Sequence, residues 1–152
     1  MRTGVRLAVD VGSVRIGIAR SDASGTLAVP ETTLDARKDW VAALQALVAE
    51  YQPVELVVGL PVSLDGREHA AAARVREAVA AIRTGCPQVP VRLVDERLTT
   101  SAAHVQLRDA GVSTRKSRDF VDQAAAVIML QESLDTERAT GHPPGTLANG
   151  QA

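Results

Sequence analysis

The hydrophobic period of this chain first turns from strand-like to helical near residue 35, and that change points to the class of fold. Before it lie three short strand-like segments. Residues 5–11 form an apolar run broken by Asp10, residues 14–20 follow after Gly12, and residues 26–33 follow the turn Ser21-Asp22-Ala23-Ser24-Gly25. Pro30 has no N–H to give a ladder, so the third segment belongs at an edge. These three predict an antiparallel meander. Beyond residue 35, Trp40, Leu44, Leu47, Val48 and Tyr51 recur at helical spacing, with Asp35 as the expected N-cap and Pro53 as terminator. The run 54–60 reads as a strand buried on both faces. Ala71, Val75, Ala78, Val79 and Ile82 mark a second helix ending near Gly85, and 91–94 a further buried strand entering Asp95-Glu96-Arg97. Thr99 or Thr100 is placed to cap a helix that stops at Gly111. Residues 112–118 then read as a polar, basic loop, with Ser117 as cap of a last helix to about residue 134. A meander followed by alternating helices and strands predicts an α/β fold, a five-stranded mixed sheet with helices on both faces.

A chain of 152 residues suits one domain, assigned to 1–134. Residues 135–152 contain Gly and Pro and almost no large apolar side chains, so a disordered C-terminal tail is expected there. The net charge of −1 excludes a uniformly basic coat, so any nucleic-acid site must be a local patch. Aromatic residues are only 2%, which argues against an aromatic platform for a run of unpaired bases. The single cysteine, Cys86, excludes an intrachain disulfide; its Thr84-Gly85-Cys86-Pro87 turn is expected to be exposed, where oxidation could cross-link two chains. No Cys/His cluster has zinc spacing, and His69, His104 and His142 read as scattered surface residues. With no apolar run of membrane length and no leader pattern, the expected location is cytoplasmic, with no membrane partner.

Three carboxylates stand in apolar surroundings: Asp10 inside the first strand, Glu96 at the end of the fifth, and Asp122 beside Ala125 and Ala126 in the last helix. A lone carboxylate in such a place costs several kcal/mol (about 2–7 for a neutral polar group, more for a charge) unless it is paired or coordinates a cation. If the first and fifth strands are neighbours, about 4.8 Å separates their backbones and Asp10 and Glu96 converge. The alanines let the helix of Asp122 approach the sheet. Carboxylate clusters suit Mg2+ or Mn2+, and two such ions about 3.5–4 Å apart activate water on a phosphodiester. For any one of the three, an ordinary ion pair or a solvated charge is the simpler account; the three together favour a shared site.

The segment Asp10-Val11-Gly12-Ser13-Val14-Arg15-Ile16-Gly17-Ile18-Ala19 resembles the opening motif of the YqgF (RuvX-like) family. Val58-Gly59-Leu60-Pro61 with Asp65-Gly66, Asp95-Glu96-Arg97-Leu98-Thr99-Thr100, and Val121-Asp122-Gln123-Ala124-Ala125-Ala126-Val127-Ile128-Met129-Leu130 resemble its later motifs, in the family's order. The resemblance spans residues 5 to about 134. It implies an RNase H-like fold, catalytic and metal-binding carboxylates at Asp10, Glu96 and Asp122, and a two-metal Mg2+ or Mn2+ nuclease that matures the 5′ end of pre-16S rRNA. The alternative it carries is resolution of Holliday junctions. A non-catalytic RNA-binding assembly factor on the same fold is the rival from another class. The partner is then a structured rRNA precursor or branched DNA, met by a monomer or a homodimer.

Arg115, Lys116 and Arg118 form the densest basic cluster, just ahead of Asp122; they read as a clamp on the phosphate backbone or as a solvated loop. Arg97 reads as a phosphate contact or as the partner of Asp95. Asp119, one turn before Asp122, is at most auxiliary. Gly12 and Gly17 permit close approach of a phosphate or serve a tight turn. Asp-x-Gly followed by a second glycine also suits an actin-like ATPase, but that needs two such domains around one nucleotide and the chain has room for one.

Overall fold

The computed structural model describes residues 1–62, 68–95 and 114–148, with the backbone alone for 114–122. The strands are β1 (Arg6–Val11), β2 (Arg15–Ser21), β3 (Ala28–Asp35), β4 (Glu55–Leu60), β5 (Val91–Asp95) and β6 (Thr146–Leu147). The helices are α1 (Trp40–Tyr51), α2 (Ala70–Gly85) and α3 (Thr114–Thr140). They form one mixed sheet in the order β3-β2-β1-β4-β5-β6. The meander β1-β2-β3 is antiparallel, β4 and β5 run parallel to β1, and β6 returns antiparallel to β5.

Side-chain alternation divides the core in two. Leu7, Val9, Ile16, Ile18, Leu56 and Val58 pack on α1 and α2 through Leu44, Val48, Val75, Val79 and Ile82. Their alternates Ala8, Ala19 and Val57 meet Ala126, Met129, Leu130 and Leu134 of α3. Small residues on this second face admit the helix closely: Ala125 and Ala126 are buried, as the sequence suggested.

Several expectations are corrected. The third strand starts at Ala28 rather than residue 26, because the Asp22 carboxylate accepts from the backbone N–H groups of Thr26 (2.7 Å) and Leu27 (3.1 Å) and draws them into the turn. Asp35 ends β3, where it accepts from the N–H of Arg37, and the N-cap of α1 is Asp39, which accepts from Ala42 N–H. The β2–β3 register slips between Ile18 and Ala19, opposite Pro30. Cys86 is fully buried at the end of α2, and burial pushes its thiol pKa up, so it is no exposed cross-linking site. The apolar run 54–60 holds a carboxylate, Glu55, only 2% exposed.

The largest correction is at the C-terminus. Residues 135–148 are ordered: α3 continues to Thr140, and residues 146–147 add a sixth strand, where five were expected. The continuation is polar, yet Glu137 is buried and bonds to Arg2 and Arg6. Gly141 and Gly145, both with positive φ, then turn the chain back, and Ala148 buries itself against the core. At Gly145 a Cβ would overlap the carbonyl oxygen of Leu93, so this return admits no side chain there. Residues 149–152 lie outside the described residues. Among the described residues no helix is long and apolar enough to cross a membrane.

Candidate active site

Asp10 is the penultimate residue of β1 and is half-buried. It shares the parity of Ala8, so it lies on the α3 side of the sheet. Its partner on β2 is Gly17. On the other side, Val9 pairs with Val58, so Gly59 of β4 comes level with Asp10, and Gly59 in turn pairs with Val94 of β5. Asp10 is therefore flanked on both sides by residues without side chains. Neither glycine adds a side chain of its own beside the carboxylate, a common use of glycine inside a strand. Gly12 is accounted for by the hairpin: its N–H donates to the Arg15 carbonyl at 2.9 Å, and a Cβ there would meet that same oxygen at 2.5 Å.

The β1–β5 adjacency on which the expected convergence of Asp10 and Glu96 was conditional does not occur. β4, apolar on both faces, takes the place beside β1 and moves β5 one strand further out. The backbones of Asp10 and the end of β5 are then two strand spacings apart, about 10 Å. Two carboxylates reaching from that separation can still share ions between them. Glu96, the residue after β5, lies outside the described residues, as do Arg97, Asp65 and Gly66.

A side-chain hydrogen bond ties α3 to the sheet at the level of Asp10. The Gln123 side chain donates to Thr33 Oγ1 at 2.8 Å. Thr33 pairs with Gly17, and Gly17 with Asp10, so all three stand in one row across the sheet. The backbone of Asp122, adjacent to Gln123, is therefore carried to the level of Asp10. Arg115, Lys116 and Arg118 are in the first turns of α3 rather than in the loop expected, because the helix begins at Thr114. Asp119 also belongs to this helix. The side chains of these residues are not among those described. Among the described residues no cluster of three or more His, Cys, Asp or Glu side chains forms a metal site; Glu96 and the Asp122 side chain stand outside that set.

Gly59 and Gln123 were both missed by sequence reasoning as site residues. The signal for Gly59 was present, an isolated glycine within a strand pattern. The Gln123–Thr33 bond had none, since the two are 90 residues apart.

A mixed sheet with an antiparallel meander, parallel continuation and helices on both faces, carrying an acidic residue near the end of its first strand, is the RNase H-like architecture. Solved structures agree on that fold. Thermus thermophilus RuvC in complex with a Holliday junction substrate superposes with a TM-score of 0.60 at 13% identity, over 95% of this chain and 99% of that one. A fowlpox virus resolvase in complex with Holliday junction DNA gives 0.55 at 13% identity, over 86% and 98%. The chain belongs to the RuvX family, described as Holliday junction resolvase, whose model matches residues 4–136. Among curated relatives it is 55% identical to a Streptomyces coelicolor protein over 95% of this chain and 88% of that one, and 51% identical to a Nocardioides protein over 97% of each. A Thermobifida fusca relative is 49% identical over 99% of each. All three carry the name "Putative pre-16S rRNA nuclease".

Proposed function

We propose that the protein is a divalent-metal-dependent endonuclease that matures the 5′ end of pre-16S rRNA, with Asp10, Glu96 and Asp122 as its metal-holding carboxylates. The observation that carries this reading is the position of Asp10, flanked by Gly17 and Gly59 and level with the turn of α3 that bears Asp122. An all-carboxylate donor set suits Mg2+ or Mn2+, hard cations that prefer oxygen. When bound, a pair of such ions supplies the activation of water and the stabilisation of the leaving oxygen, giving 5′-phosphate and 3′-hydroxyl products.

The chain's own residues do the rest. Gly17 and Gly59 add no side chains beside Asp10, which favours close approach of a phosphodiester. Arg115, Lys116 and Arg118 hold the phosphate backbone, with Arg97 as a further contact. Two cations in the first turn of a helix oppose its dipole, at about 0.3–1 kcal/mol each, and α3 has no acidic residue there to offset them. An anion bound at that helix end relieves the conflict and gains from the first-turn N–H groups, which have no partner within the helix.

The decisive experiment is cleavage of a 16S rRNA precursor and a four-way DNA junction side by side, with and without manganese. Metal-dependent cutting of the precursor at its 5′ end supports the reading. Cutting of the junction alone would transfer the activity to branched DNA, in line with the resolvase name of the family. Binding of the precursor with no cutting under any metal would leave an RNA-binding assembly factor.

A further inference from the structure

On the face of the sheet opposite α3, an open groove of about 400 Å³ lies between the β1–β2 turn, the start of α1 and the outer side of α2. Gly12 and Ser13 contribute from the turn, Trp40 from α1, and Arg74 and Glu77 from α2. The volume falls in the range of small-ligand sites, about 300–1,000 Å³. Trp40 is half-buried: it packs against the core and lines the groove at once. Arg74 is exposed and has no ion pair among the described residues, whereas its neighbour Arg76 is held by Glu68. Gly12 is two residues past Asp10, about 7 Å of extended chain. A nucleic acid lying at Asp10 on one face therefore has only the β1–β2 turn to cross before it meets this groove on the other.

We propose that the groove holds one unpaired nucleotide flanking the cleavage site, its base against the Trp40 indole and its phosphate on the Arg74 guanidinium. The inference rests on the nucleic-acid reading above and adds where a single-stranded flank is gripped. Every base has a π-face, so a lone indole gives grip without sequence preference. Glu77 repels a second phosphate, which limits the groove to a single nucleotide. The low aromatic content rules out a platform for a run of bases, but one base needs one ring.

Trp40 is the chain's only tryptophan, so its fluorescence reports this groove directly. The test is a titration of the full chain, without divalent metal, with an unstructured eight-nucleotide RNA, followed by both fluorescence and anisotropy of a labelled copy. The expected result is quenching that saturates together with the anisotropy. Trp40→Phe keeps most of the affinity, and Trp40→Leu and Arg74→Ala each lose about tenfold. Binding without quenching, no binding, or full affinity in Arg74→Ala would overturn the proposal. Cleavage with manganese is read separately. Quenching without cleavage would sink the nuclease reading and leave the groove standing, while cleavage without quenching would sink the groove alone.

Discussion

At the N-terminal ends of β1, β4 and β5, Glu55 and Glu137 are 2% and 3% exposed, and all four of their carboxylate oxygens accept from arginine. Arg2 reaches both glutamates, Arg6 reaches Glu137 at 2.9 Å, and Arg92 reaches Glu55 at 2.8 Å. At the opposite end of the same sheet Asp10 is half-buried, and its lateral neighbours in the sheet are glycines. The first end surrounds buried carboxylates with guanidinium groups and ties the two ends of the chain together. The second sets its carboxylate between two glycines, Gly17 and Gly59. The comparison teaches that a carboxylate in an apolar segment does not by itself mark a site. Glu55 interrupts its strand just as Asp10 does, and its partners Arg2 and Arg92 account for it.

The strongest way to break the arginine-bound end is to remove its C-terminal half. Ending the chain after Leu134 deletes Glu137 and β6 and leaves Arg6 buried without its carboxylate. The expected loss is at least the roughly 3–5 kcal/mol of a broken buried pair, a large share of a domain's typical 5–15 kcal/mol, visible as a lowered thermal midpoint. An unchanged melt would show that the ordered segment contributes nothing. Glu137→Gln alone keeps the shape and should cost about 3 kcal/mol by urea titration, since it leaves Arg6 buried and charged.

Acid sharpens the same contrast. Burial alone would raise the pKa of Glu137, but hydrogen bonds from Arg2 and the charges of Arg2 and Arg6 outweigh it and hold the carboxyl at about 2, below its ordinary 4.5. A depressed folded-state pKa gives stability that is full above about 4.5 and is lost as pH falls toward 2. The stability gap between wild type and Glu137→Gln should therefore shrink across that window. A gap that stays constant down to pH 2 would contradict the pairing.

The smallest expected effect is at the other end, on α3. Replacing Arg115, Lys116 and Arg118 with alanine should flatten the dependence of log affinity on log salt by about 0.7–0.9 for each phosphate no longer neutralised. An unchanged slope would put the backbone grip elsewhere.

Much of this was legible in the sequence, for reasons particular residues make plain. The period change placed five strands within two residues of where they lie, because apolar alternation and the prolines are local signals. Asp10 was legible as an anomaly inside a strand, and Ala125 and Ala126 as the small face of a helix. Strand order was not legible: nothing local says that β4 stands between β1 and β5. The C-terminal segment misled for a similar reason. Its polarity suggested disorder, yet the partners that bury Glu137 are Arg2 and Arg6, more than 130 residues away. Asp22 and Asp39 show the same limit at short range, where side-chain oxygens choose among nearby N–H groups and shift an element's start by a few residues.

The central claim is that the glycine-flanked end holds metal and the arginine-bound end holds the fold. Asp10→Asn tests it through the shift in melting temperature that manganese produces, measured beside wild type. The account predicts that manganese raises the wild-type midpoint, and that Asp10→Asn melts at or above wild type without metal but loses most of the shift, with cleavage down about a hundredfold or more. A wild-type midpoint that never moves with manganese, together with an Asp10→Asn protein strongly destabilised without metal, would make Asp10 a structural residue and contradict the account.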